Sequence, residues 1–167
     1  MKHPVTRKQY TSKYCFICGE KNVAGIQMRF YELDNDVVVG IFVGRQEHCS
    51  YPDRMHGGII SAILDETVGR AIEMKTPGTM GVTTNLQVKF RKPVPLGVEL
   101  RAVGKLVEDK PRYFIGTGEI LLPNGDIAAT AIATYMKADM STAFTQGAGD
   151  EEFLYHAQEG DKTEIDL

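Results

Sequence analysis

Two adjacent carboxylates, Asp65 and Glu66, interrupt the most apolar stretch of the chain, RMHGGIISAILDETVGRAIEMK from Arg54 to Lys75. Ile59, Ile60, Ala62, Ile63, Leu64, Val68, Ala71, Ile72 and Met74 cover most of the circumference of the helix this stretch predicts. A helix apolar nearly all round is a buried one. A carboxylate inside it is costly unless it is paired or used. By residue type Asp65 suits a general base or a nucleophile, and type does not separate the two. Two turns upstream, His56-Gly57-Gly58 marks the point where a loop becomes the helix. The first N–H groups of a helix have no acceptor in its own ladder. Such donors at the positive helix end suit a developing oxyanion, and glycine leaves the approach open. The same residues have a plainer reading, a glycine-permitted tight turn followed by a buried carboxylate satisfied by hydroxyls. Glu66 points about 100° further round the helix, so it cannot serve the same spot as Asp65. Arg70, at i+4, is its candidate partner.

The elements that must hold these residues follow from period and punctuation. Residues 1–14 are basic and polar and are expected as an arm over the surface, 15–140 as the folded domain, and 141–167 as an acidic tail. Within the tail a short helix is expected around Glu151 to His156. Ile26–Glu32 and Val37–Val43 read as strands, with Gly40 marking a bulge, and Gly44–Met55 as a loop. Thr76-Pro77-Gly78 ends the helix. Met80–Phe90 then alternates, which places Val82, Thr84, Leu86, Val88 and Phe90 on one face. Val98–Glu108, Tyr113–Leu122 and Ile127–Lys137 are further long strands. Asp109-Lys110-Pro111 and Pro123-Asn124-Gly125-Asp126 between them are hairpin turns. This order predicts an α+β domain in which one antiparallel sheet curls about the helix. A second copy of the chain is expected to cover what the sheet leaves open.

The 167 residues fit one domain with a real core. A net charge of −3 with dispersed basic residues argues against a nucleic-acid partner. The first residues lack an apolar core and no run approaches the length of a membrane span, so neither a signal peptide nor membrane insertion is expected. Three cysteines give no disulfide framework, and a reducing cytoplasm is the expected location. Cys15-Phe16-Ile17-Cys18-Gly19 resembles half a zinc site, but two thiolates are not four ligands. His48 and Cys49 are the nearest completers in sequence. The favoured reading is a buried-cysteine turn, with no metal and no cofactor. A redox pair is disfavoured because no βαβ unit surrounds it.

His56-Gly57-Gly58 with a carboxylate nine residues beyond the histidine resembles the motif of hotdog-fold acyl-CoA thioesterases of the phenylacetate-degradation type. VTTNLQVKFRKPVPLG, from Val82 to Gly97, is similar to that family's strand after the helix and its basic Pro-Gly turn. The Cys-x-x-Cys-Gly stretch is similar to a branch of these proteins. The resemblance covers roughly Cys15 to Lys137 and implies the hotdog fold, an antiparallel sheet wrapped around one long central helix. It implies hydrolysis of a small, medium-sized or aryl acyl-CoA in a homodimer with shared sites, with a dimer of dimers as a further expectation. Asp65 is then the working carboxylate and Gly57 N–H the main oxyanion donor, supported by Gly58. His56 shapes the loop rather than acting as base, and Thr83 orients the water or the carboxylate. Ser50 stands where many relatives carry Asn or Gln. Arg91 and Lys92 are expected to hold a CoA phosphate, with Arg54 and Arg112 in second rank. Val82 and Thr84 are expected to contact substrate. Two other functions compete on the same fold, a hydratase or dehydratase built on a histidine and a non-catalytic acyl-CoA-binding protein. His48 and His56 are the only histidines near enough for the first. The second leaves the cost of Asp65 unexplained.

Overall fold

The apolar stretch after His56 is helical, in two pieces: α1 (Gly57–Gly69) and α2 (Ala71–Lys75). The helix expected as one piece breaks at Arg70, whose N–H bonds back to Glu66 O and Val68 O. Gly69, a poor helix former, lies directly against the Tyr135 ring, where a Cβ would stand 3.2 Å from the nearest ring carbon. Ile60, Ile63, Leu64, Thr67 and Val68 are buried, so α1 runs through the core.

The computed structural model describes residues 1–139, 153–154 and 157–167, the pair 153–154 by backbone alone. Before the helix come β1 (Lys2–Lys8), β2 (Thr11–Ser12), β3 (Arg29–Leu33) and β4 (Val38–Val43). After it come β5 (Thr79–Phe90), β6 (Glu99–Asp109), β7 (Tyr113–Leu121) and β8 (Ile127–Asp139). The short β9 (Phe153–Leu154) and β10 (Glu164–Asp166) complete the described strands. Eight of them form one antiparallel sheet in the order β10-β1-β3-β4-β6-β7-β8-β5, with β2 and β9 pairing separately. The sheet wraps α1, which packs on β4, β5, β6, β7 and β8. This is the hotdog architecture, an α+β fold with one central helix. Among the described residues no helix is long and apolar enough to cross a membrane.

Close approach of helix and sheet depends on missing side chains. A Cβ at Gly104 would stand 2.5 Å from the Thr67 carbonyl oxygen, a backbone atom that cannot swing aside. Gly104→Ala is therefore expected to cost about 1–3 kcal/mol, the usual price of overpacking. A lower urea midpoint at unchanged slope is the measurement that checks it.

Several local expectations are corrected. Gly40 is not a bulge: its pairing with Phe30 and Ala102 is in register. It is a close-approach glycine, since a Cβ there would meet the Met28 side chain at 1.9 Å. The loop before the helix contains one short 3-10 turn, Gln46–His48. Residues 1–14, expected as a surface arm, include β1, which pairs with β3 on one side and β10 on the other. Ile165 of β10 is buried with Tyr31, Leu33 and Val39. Of the tail helix expected around Glu151 to His156, the described pair is strand β9 and the remainder lies outside the described residues.

Strand β5 does not alternate without interruption as expected. Its register against β8 shifts between Thr83 and Asn85, so Thr84 is the extra residue of a bulge. A bulge reverses which face later side chains occupy. Thr83 reaches the helix at Asp65, and beyond the bulge Leu86 and Val88 pack on the core. Val82 therefore faces away from Leu86 and is 57% exposed, not part of one continuous apolar face.

Candidate active site

Asp65 sits in the second half of α1, and two neighbouring strands supply its partners. The Thr83 hydroxyl of β5 donates to Asp65 Oδ1 at 2.9 Å. The Tyr135 hydroxyl of β8 lies 2.8 Å from the Asp65 carbonyl oxygen and 3.2 Å from Oδ1. Burial pushes the Asp65 carboxyl above its ordinary value; the two hydrogen bonds oppose this, and the Glu66 charge adds to it. Burial and the Asp65 charge push the Tyr135 phenol far up, so it stays a protonated donor. The result is a half-buried carboxylate with one oxygen held and its proton affinity raised. Such a group can take a proton from water.

Tyr135 is absent from the sequence-based site. Its only local signal is an aromatic hydroxyl in a strand whose other residues from Ile127 to Met136 are small or apolar. Its position beside Asp65 comes from β8 crossing the helix, and its ring stacks on Phe114 at 4.8 Å.

The loop before α1 is shaped by His56. Its Nδ1 accepts from the Gly58 N–H at 2.9 Å, and its carbonyl oxygen accepts from Ile59 and Ile60. His56 is thus the N-cap. Gly58 N–H is already engaged, whereas Gly57 N–H has no acceptor among the described residues. The exposed Phe90 ring stands beside Gly57, 3.5 Å from where a Cβ would be. Neither nearby histidine is placed as a partner of Asp65. His48 is fully buried, with Nδ1 accepting from Arg45 N–H and Nε2 against the Ala24 carbonyl, each at 3.0 Å.

The basic turn after β5 is exposed. Lys92 pairs with Asp126 at 2.6 Å, and Arg91 lies beside it in the chain. Lys92, Arg54, Pro93, Pro95, Leu122 and Pro123 line a shallow groove of about 420 Å³. Met55 N–H bonds to Val94 O, which places this groove next to the start of α1. Arg112 is exposed in the turn between β6 and β7. The Thr84 hydroxyl donates to Thr134 O across the bulge. Ser50 N–H bonds to Arg54 O within the loop before the helix.

The cysteines at 15 and 18 do not meet the completers nearest in sequence. His48 is bonded as described, and Cys49 Sγ lies 3.6 Å from Gln46 Nε2. Instead Cys15, Cys18 and Glu66 converge, with their ligand atoms all within 4.8 Å of one another. Glu66 is paired as its spacing predicts, 2.8 Å from Arg70 Nη2.

Residues 53–121 match the family model described as Thioesterase superfamily, a span that includes Gly57, Asp65 and Thr83. An uncharacterized protein of Schizosaccharomyces pombe is 29% identical over 96 residues, 58% of this chain and 55% of that protein. The chain therefore spans about half the length of the curated relative it matches. Among solved structures, a thioesterase superfamily protein is similar at a TM-score of 0.68 and 22% identity, covering 74% of this chain and 60% of that one. The PaaI protein of the E. coli phenylacetic acid degradation operon gives 0.61 at 15% identity, covering 68% and 80%. A Bacillus halodurans protein solved with CoA gives 0.55 at 23% identity, covering 60% and 66%. At these identities the likeness shows the fold alone, and the phenylacetate-type protein is one neighbour among several. The helix, its sheet and the matched span agree: the chain has the hotdog fold, and the part of it that carries the candidate site, residues 53–121, is similar to the thioesterase superfamily.

Proposed function

We propose that the protein hydrolyses the thioester of a small, medium-sized or aryl acyl-CoA, with Asp65 of one copy acting at a carbonyl polarised by Gly57 N–H of a second. The observation that carries this reading is the Asp65 carboxylate held by Thr83 and Tyr135 on a helix whose first N–H has no acceptor among the described residues. Along α1 these two groups lie about 12 Å apart at roughly 1.5 Å per residue. Reacting atoms must come within about 3–3.5 Å, so one chain does not bring them to one carbonyl. A two-fold dimer resolves this, since its self-complementary interface makes two equivalent sites. The edge strand β5, with Val82 and Phe90 each 57% exposed, is the surface available for such pairing.

In the proposed reaction Asp65 takes a proton from water as the oxygen adds to the carbonyl carbon. The oxyanion is held by Gly57 N–H at the positive end of α1. Collapse breaks the carbon–sulfur bond, the CoA thiolate leaves, and the proton returns to it. The Phe90 ring beside Gly57 is assigned to the acyl group. The groove with Arg54 and Lys92, together with Arg91, is assigned to the CoA phosphates, for which basic side chains are suited. The Bacillus halodurans neighbour solved with CoA supports this ligand class.

The test is free-thiol release from short, medium, long and aryl acyl-CoAs. Release with equimolar acid from one class is expected. Saturable binding without release across the panel, or hydration of an enoyl-CoA with no thiol, would overturn the assignment. The hydrogen bonds to Asp65 add a pH prediction. Both favour the carboxylate, so removing either raises its proton affinity further. Thr83→Val and Tyr135→Phe are each expected to move the acid limb of kcat/KM to higher pH, read from a pH–rate profile.

A further inference from the structure

We propose that Cys15, Cys18 and Glu66 bind a thiophilic divalent cation, zinc foremost, which fastens the N-terminal turn to α1. The three donors come from segments far apart in sequence, and their ligand atoms lie within 4.8 Å of one another. The turn is built to present sulfur. Gly19 N–H bonds to Cys15 O at 2.8 Å, and a Cβ at Gly19 would stand 2.4 Å from that same oxygen. Ile17 N–H points at Cys15 Sγ at 3.3 Å, and Ser12 N–H at Cys18 Sγ at 3.2 Å. Donors aimed at sulfur stabilise thiolates, the form that binds metal.

Glu66 divides its two oxygens. Arg70 takes Oε1, at 2.9 Å from Nε and 2.8 Å from Nη2, while Oε2 faces Cys15 Sγ at 3.9 Å. The buried Arg70 guanidinium also reaches Cys18 Sγ at 3.1 Å and stacks over the Phe30 and Tyr10 rings. A guanidinium there does not compete as a ligand; it orients two of them from behind. Its charge also completes the balance. Two thiolates and a carboxylate against a dication and a guanidinium leave the cluster neutral, and so do two thiols with the Glu66–Arg70 pair alone. Binding therefore exchanges two thiol protons, released to solvent, for one cation without leaving buried net charge. Three protein ligands leave a fourth position to water.

The experiment titrates reduced, metal-free, full-length protein with Co²⁺. A thiolate-to-cobalt charge-transfer band saturating at about one equivalent per chain, and displaced by Zn²⁺, is expected. Cys15→Ser and Cys18→Ser should abolish the band, and Glu66→Gln should weaken binding by on the order of tenfold or more. Unfolding of the wild type gives a readout that needs no variant: Zn²⁺ should raise Tm and a chelator should reverse the rise. Absence of the band, its survival in Cys15→Ser, a Tm indifferent to Zn²⁺, or a Cys15–Cys18 disulfide in protein that retains no metal would each overturn the proposal.

Discussion

Asp65→Asn is expected to lower kcat/KM for thioester hydrolysis by about 10²–10⁴-fold, the usual range for a positioned acid–base side chain. The substitution keeps the shape of the side chain. Thr83 Oγ1 and the Tyr135 hydroxyl can still donate to the amide oxygen, so the local hydrogen bonds persist. What disappears is the capacity to take a proton from water. The folded state should also tolerate the change, because burial already disfavours the charged form of this carboxyl. Circular dichroism and size-exclusion chromatography on the variant separate lost chemistry from lost structure. Turnover at the wild-type rate would remove Asp65 from the mechanism.

Gly57→Pro is expected to cost about 10²–10³-fold in kcat, the range for losing one oxyanion donor, with little effect on stability. Proline is favoured at the first position of a helix, where its missing N–H has no partner to lose. His56 has φ −65° and ψ 135°, the extended conformation preferred before proline. A Cβ at position 57 meets the Phe90 ring at an ordinary 3.5 Å. The comparison is Gly57→Ala, which adds the same Cβ but retains the N–H. It should keep most of the activity, and equal losses in the two variants would point to crowding rather than to a lost donor.

Periodicity made the strands and the buried helix legible, because both follow from local patterns of apolar residues. The bulge at Thr84 was not legible, since strict alternation continues through it in the sequence; one unpaired residue then moves Val82 to the opposite face from Leu86. Tyr135 escaped for a different reason. It lies far along the chain from Asp65, and only the crossing of β8 over α1 brings its hydroxyl there. The convergence of Cys15 and Cys18 on Glu66 is equally non-local, and sequence proximity points instead to His48 and Cys49. Strands β1 and β10 show the same limit: a basic start and an acidic end pair with each other at the sheet's margin. The i+4 pairing of Glu66 with Arg70, by contrast, is a local geometric consequence of the helix and was readable directly.

If each site takes Asp65 from one copy and Gly57 from another, complementation in a mixed dimer reveals it. Asp65→Asn and Gly57→Pro chains, each expected to keep about a hundredth of the activity or less alone, are co-expressed and purified together through different tags. A shared site leaves one intact Asp65–Gly57 combination in every mixed dimer, so activity should return to about half the wild-type rate per dimer. Mixed dimers that form but remain as inactive as either parent would contradict the shared site and return both groups to one chain.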